Sequence, residues 1–245
     1  MKYLFVPFRI LYKIYFLLYF AISLILIYPF LYYLLYKPAR YPKAFVLIRY
    51  FSKCLFFFTG ILLKVKGKEN IPESGAYVIC SNHTSFLDAF CIYAIFQEYF
   101  VFVGKKEIEK WPLFHIVYTS GMNILVDRNN EKDAAKGLKR MFTEIDKGRS
   151  IVLFPEGTIS KNAPKMGPFK PGAFAVAIQK QVPVVPITFV TNWKRLERSG
   201  IFKGRGGPGI SEIVIHKPVL TKGLKKTDLN QLQNQVQDII KSGFD

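Results

Sequence analysis

The sequence is short of the residues that hold metals and disulfides. Its 245 residues include three cysteines (Cys54, Cys80, Cys91) and three histidines (His83, His115, His216). There is no C-x-x-C pair and no H-E-x-x-H motif, so no protein metal site is expected. An odd number of cysteines, each among apolar neighbours, points to buried, reduced thiols in a cytosol-facing protein. Cys80 stands close enough to His83 to suggest a nucleophile pair, but it falls in an apolar stretch and is expected in the core. Acidic residues are also scarce. Seventeen Asp and Glu face 35 Lys and Arg, leaving a net charge of +18. Such a surplus suits nucleic acid, anionic lipid or small anionic molecules. The basic residues are spread along the chain, and no recognition-helix, RNP-type or zinc-finger pattern occurs, so nucleic acid is not an expected partner. Internal repeats and long polar linkers are missing too, which argues against a solenoid or a disordered chain.

Apolar runs are plentiful. Ile14 to Tyr36 is 23 residues without a formal charge, bracketed by Lys13 and Lys37. A run of about 20 apolar residues can cross a bilayer core. It is too long and too rich in Tyr for a cleaved signal peptide. Pro29 is expected to kink or break a helix here. Tyr15, Tyr19, Tyr28, Tyr32 and Tyr33 favour the membrane interface over the hydrocarbon centre. A second apolar stretch, residues 44–63, carries Arg49 and Lys53 on one stripe among phenylalanines, as suits a helix lying at headgroup level. The alternative there is a core helix with two snorkelling side chains. Residues 1–63 are therefore read as a two-helix module embedded in one leaflet, with a single span as its competitor.

Residues 64–245 read as one α/β domain. Strand-like stretches at 76–81, 99–104, 122–126, 150–154, 184–190 and 211–216 alternate with helical patterns at 86–97, 107–119, 131–147 and 171–180. That alternation implies a mostly parallel central sheet flanked by helices. A polar helix over 228–241 follows, turning Leu229, Leu232 and Val236 toward the body. Gly204–Gly209 satisfies G-x-G-x-x-G, but a strand follows it rather than a helix, so a surface loop is expected and not a dinucleotide site.

The densest chemistry is His83-Thr84-Ser85-Phe86-Leu87-Asp88, preceded by Asn82. A histidine and a carboxylate five positions apart cannot share one face of a continuous helix. They can pair if His83 lies just outside a helix and Asp88 in its first turn. Ser85 and Asp88 have the spacing of a capping box, and the strand upstream puts His83 on a strand-to-helix loop, where α/β proteins keep their sites. In such a pair His83 is a general base and Asp88 fixes its tautomer.

Three further blocks follow: Gly121-Met122-Asn123-Ile124-Leu125-Val126-Asp127-Arg128, then Phe154-Pro155-Glu156-Gly157-Thr158, then Val182-Pro183-Val184-Val185-Pro186-Ile187. With four blocks in this order, the chain resembles the glycerolipid acyltransferases over roughly residues 65–220, in particular the bacterial 1-acyl-sn-glycerol-3-phosphate acyltransferases. The resemblance implies transfer of an acyl chain from acyl-CoA or acyl carrier protein to the sn-2 hydroxyl of 1-acylglycerol 3-phosphate. The product would be phosphatidic acid, made without any cofactor at the cytoplasmic face of a bacterial inner membrane. It assigns His83 and Asp88 the roles given above, and Arg128 the acceptor phosphate. Lys105 and Lys170 fall where further phosphate contacts are expected. Glu156 would accept from the acceptor glycerol or brace its loop, Gly157 and Thr158 complete that loop, and Asn82 stands beside the base. One departure matters: Ile159 stands where the family commonly has arginine. Lys161 or Lys170 are candidates to substitute, and other acceptors stay open: glycerol 3-phosphate, another lysophospholipid or a lyso-aminolipid. A non-catalytic module that binds anionic lipid is a third reading, against which the His83/Asp88 pair counts.

Overall fold

The computed structural model describes residues 6–127 and 129–244. The chain opens with a 30-residue helix, α1 (Val6–Leu35), followed by α2 (Tyr41–Phe58). Pro29 does not break α1. It sits on the exposed side, and buried positions on either side of it, Leu24, Leu31 and Leu35, carry the helix past its missing hydrogen bond.

α2 ends earlier than its hydrophobicity suggests. Ile61–Lys66 is an edge strand, β1, whose burial alternates, so the helical reading through residue 63 is corrected. Nor is α2 only a surface segment. Tyr41, Ala44, Phe45, Ile48, Phe51, Leu55 and Phe56 are buried, and the Phe45 ring meets Phe100 edge-on at 4.9 Å. Arg49 is half-buried and Lys53 exposed, on the outer side.

Then follow β2 (Val78–Ser81), α3 (Leu87–Ile95) and β3 (Phe100–Lys105). The helix expected over 107–119 shrinks to a 3-10 turn at Lys106–Lys110 and one turn of α4 (Ile116–Thr119), Pro112 lying between them. The remainder is β4 (Ile124–Val126), α5 (Glu131–Asp146), β5 (Ser150–Leu153), α6 (Gly172–Lys180), β6 (Val184–Phe189), α7 (Asn192–Arg195), β7 (Gly209–Ile215) and α8 (Leu229–Ser242).

Seven strands form one sheet in the order β1-β7-β6-β2-β5-β3-β4. All neighbours are parallel except β6 and β7, so β1 and β7 run against the other five. The pleat divides each strand between two cores. Ile79 faces one with Phe45, Leu87, Ile92 and Phe100, while Val78 and Cys80 face the other with Met141, Phe174, Ala177 and Val236. The first core lies under α2 and α3, the second under α5, α6 and α8. β2 and β5 are buried throughout and lie side by side, so the loops leaving their carboxyl ends meet at the centre of the sheet edge.

Candidate active site

Asn82 is the first residue past β2. Its amide is wholly buried, donating to the carbonyl of Phe189 (3.1 Å) and accepting from the Phe189 N–H (2.8 Å). Both polar atoms are therefore spent on β6, and Asn82 fixes where the loop begins rather than offering a group to a ligand.

His83 follows, its side chain 16% exposed, with Nδ1 3.0 Å from Oδ2 of Asp88, which is fully buried. An ionised carboxylate only accepts, so Nδ1 carries the proton and Nε2 is left with its lone pair. Asp88 is held from several sides. Oδ2 also accepts from the backbone N–H of Thr84 (2.6 Å) and Ser85 (2.9 Å), and Oδ1 from Asn192 Nδ2 (2.7 Å). Placement in the first turn of α3 favours its negative charge as well. Half of the capping box expected of Ser85 and Asp88 forms: the Asp88 carboxylate receives Ser85 N (2.9 Å), while Ser85 Oγ accepts from Leu87 N (3.2 Å) and Asp88 N donates to the Ser85 carbonyl (3.2 Å).

The loop after β5 closes on the same histidine. The His83 ring lies nearly parallel to Phe154, 3.9 Å between centroids at 11°, so packing as well as Asp88 sets the plane of the imidazole. Glu156, buried, accepts the His83 N–H on Oε1 (2.8 Å) and the Gly167 N–H on Oε2 (2.7 Å). Of its two expected roles the geometry matches the brace. Burial raises its carboxyl above the ordinary range, and the two backbone donors only partly oppose that. Gly157 takes a φ of 78°, a conformation glycine adopts freely, and this turn lets Ser160 N reach the His83 carbonyl (2.9 Å).

These loops rim a cavity of about 680 Å3. His83 lies on its wall, with Lys105, Gly157, Thr158, Ile159 and Arg198. The remainder is mostly apolar and reaches Phe16, Leu17 and Phe20 of α1. Lys105, at the end of β3, pairs with Glu107. Lys170 is exposed, joined to the β5 loop through its backbone (Lys170 N to Pro155 O, 2.9 Å), and its side chain does not line the cavity. Arg128 lies outside the described residues.

Cys80 is buried and its thiol pushed far up by burial, so it is no nucleophile; Cys91 is likewise raised, to about 12. The expectation of three buried thiols is corrected at Cys54, which is exposed on α2.

Two residues the sequence did not suggest belong to the site. Asn192, on α7, holds the second oxygen of Asp88 and is itself gripped by Ser211. Arg198 contributes a guanidinium to the cavity wall. Neither is preceded by a recognisable pattern; both arrive through sheet topology.

The chain that carries this arrangement has relatives among known proteins. The chain is 36% identical over 152 residues to a 1-acyl-sn-glycerol-3-phosphate acyltransferase of Limnanthes douglasii, covering 61% of this chain and 52% of that one. To the Helicobacter pylori enzyme of the same name it is 34% identical over 142 residues, 58% of each chain. It is 35% identical to a chloroplastic one of Brassica napus, covering 63% of this chain and 44% of the relative. The chain thus spans roughly half the length of these relatives. In fold it matches the crystal structure of the 1-acyl-sn-glycerophosphate (LPA) acyltransferase PlsC from Thermotoga maritima. That match has a TM-score of 0.77 and covers 100% of this chain and 96% of the other at 22% identity. The Acyltransferase family model spans residues 62–190, more than half of the chain and all of the loops that meet at His83, and the protein belongs to that family.

Proposed function

We propose that the protein is a 1-acylglycerol-3-phosphate O-acyltransferase that takes its acyl chain from a thioester of coenzyme A or acyl carrier protein. The observation that carries this reading is the His83–Asp88 pair at 3.0 Å, with Nε2 unengaged by any described residue at the wall of a mostly apolar cavity. Nε2 takes the proton of the acceptor's sn-2 hydroxyl as that oxygen attacks the thioester carbonyl. The imidazolium formed is stabilised by the buried Asp88 carboxylate. Collapse of the tetrahedral intermediate breaks the carbon–sulfur bond, and the proton passes from His83 to the departing thiolate. No covalent enzyme intermediate is needed, because the thioester already has a good leaving group. Arg128 and Lys105 remain the proposed acceptor-phosphate contacts from sequence, and Lys170 an outer one.

The acceptor keeps its tail in a bilayer, and α1 supplies the attachment. Its buried positions are Lys13, Phe16, Leu24, Leu31 and Leu35, so one side of it packs on the protein from Lys13 to Leu35. Phe8, Leu18, Ile22, Leu26 and Phe30 face outward. We therefore place α1 within one leaflet, at the cytoplasmic face of the membrane, with its inner side forming part of the cavity and its outer side in lipid.

The test is release of free coenzyme A from acyl-CoA by the purified protein against a panel of acceptors. The reading requires release that depends on 1-acylglycerol 3-phosphate. Equal release with glycerol 3-phosphate or a lyso-aminolipid would move the activity to another acceptor, and release with none of them would leave a lipid-binding module.

A further inference from the structure

On the cavity wall stands an exposed arginine, Arg198, that no described carboxylate neutralises. Apart from His83, the charged side chains on its wall are Lys105, Glu107 and Arg198. Lys105 and Glu107 are paired with each other. Among the described residues no carboxylate pairs with Arg198. Its Nη1 is braced, donating to Thr158 Oγ1 (3.0 Å) and to the Ile159 carbonyl (2.8 Å). That leaves the Nε–Nη2 edge, two parallel donors matching two oxygens of a phosphate, without a partner among the described residues.

Arg198 is also held where it stands. Two residues earlier, the Leu196 carbonyl accepts from Ser85 Oγ (2.6 Å), which ties this segment to the loop between His83 and Asp88. Leu196 bridges to Gly206, closing the loop that follows Arg198. On the far side of that loop, Lys13 of α1 donates to the carbonyls of Gly200 (2.8 Å) and Lys203. The Thr158–Ile159 stretch that braces Nη1 is one residue from Ser160, whose N–H holds the His83 carbonyl. A guanidinium thus sits on the same loop network as the base, pinned on one edge and open on the other. This is a placement with a use: a charge fixed in advance binds an anion without first losing side-chain freedom.

We propose that Arg198 is an anchor for the acceptor's phosphate and supplies the positive charge that Ile159 cannot. The inference rests on the acyltransferase reading above. It differs from the sequence expectation, which looked to Lys161 or Lys170.

The experiment compares full-length wild type, Arg198→Ala, Arg198→Lys and Arg198→Ala/Ile159→Arg. Acyl transfer is measured to 1-acylglycerol 3-phosphate and to unphosphorylated 1-acylglycerol. Each acceptor is run with acyl-CoA and with an acyl thioester of N-acetylcysteamine, a donor with no phosphate. Loss of one bidentate phosphate contact predicts a roughly 10- to 100-fold higher KM for the phosphorylated acceptor in Arg198→Ala. The donor KM and the rate with 1-acylglycerol should hardly change. Arg198→Lys should recover only part of the loss, and the arginine at position 159 should recover more. A merely structural brace would depress all acceptors and both donors together, which would overturn the proposal. A change confined to acyl-CoA would overturn it too, moving the anchor to the donor's phosphates. If wild type prefers the phosphorylated acceptor and Arg198→Ala keeps that preference, Arg198 is ruled out while the acyltransferase reading stands. If wild type transfers to neither acceptor, the acyltransferase reading itself fails and the anchor with it.

Discussion

Asp88 accepts from five donors among the described residues, and the consequences of changing it separate structure from chemistry. Asp88→Asn keeps the size but puts an amide where backbone N–H groups of Thr84 and Ser85 already donate. Losing charge-assisted bonds to buried donors costs about 1.5–3 kcal/mol, and the His83 tautomer is no longer fixed. We expect a lower melting temperature and a fall in kcat on the order of 10^4-fold, as for other His–Asp pairs; calorimetry and steady-state rates check each part. Glu156→Gln should behave differently, because its two oxygens hold backbone rather than substrate. One amide oxygen replaces two acceptors, so either His83 N or Gly167 N is left facing an NH2 group. The expected result is a loss of about 1–3 kcal/mol in stability, with the acceptor KM less affected than kcat. Its raised carboxyl also gives a pH signature. A carboxyl whose folded pKa exceeds the unfolded value makes ionisation unfavourable to the fold. Its contribution is largest below the ordinary carboxylate range and falls as pH rises through the raised value. Glu156→Gln should remove that component from a melting-temperature profile.

At the scale of elements, what the sequence revealed depended on how local the cause was. The His83–Asp88 pairing was legible because strand, loop and helix cap all lie within about ten residues, and β2 and β5 were legible as buried apolar runs. β1 was missed because Ile61–Lys66 continues the apolar text of α2, and edge alternation over six residues is a weak signal. Arg198 and Asn192 stayed hidden for another reason: Asn192 meets Asp88 across 104 residues, and no local pattern encodes that meeting. The docking of α8 is similarly non-local. Thr188 Oγ1 donates to the Ile240 carbonyl (2.6 Å), so it must accept from His216 Nε2 (2.8 Å), which puts a proton on Nε2. Burial, which penalises the charged ring, lowers the pKa of His216. A lowered folded pKa means stability that is present above the ordinary histidine value and lost as pH falls from there through the lowered one. His216→Gln keeps a donor without a titration. Its melting temperature should therefore fall less between pH 7 and 5 than that of wild type.

At the scale of the whole molecule, the +18 charge and the outward apolar face of α1 act together. Anionic headgroups attract nearby basic residues by about 1 kcal/mol each, and apolar burial holds what charge brings in. If α1 lies in one leaflet, as proposed, a tag at Met1 and a tag after Asp245 should lie on the same side of the membrane. A thiol-reactive label that cannot cross membranes should reach both from that side of sealed vesicles. Labelling of Met1 from the opposite side alone would show that α1 spans.

All of this depends on His83 being the base, and one comparison tests it most directly. Full-length wild type and His83→Ala are assayed for coenzyme A release that depends on 1-acylglycerol 3-phosphate, with melting temperatures recorded alongside. His83 stands on a loop, 16% exposed, so the variant should fold. The account predicts acceptor-dependent release in wild type and a drop on the order of 10^3-fold or more in a folded His83→Ala. A folded His83→Ala protein that releases coenzyme A at the wild-type rate would contradict it.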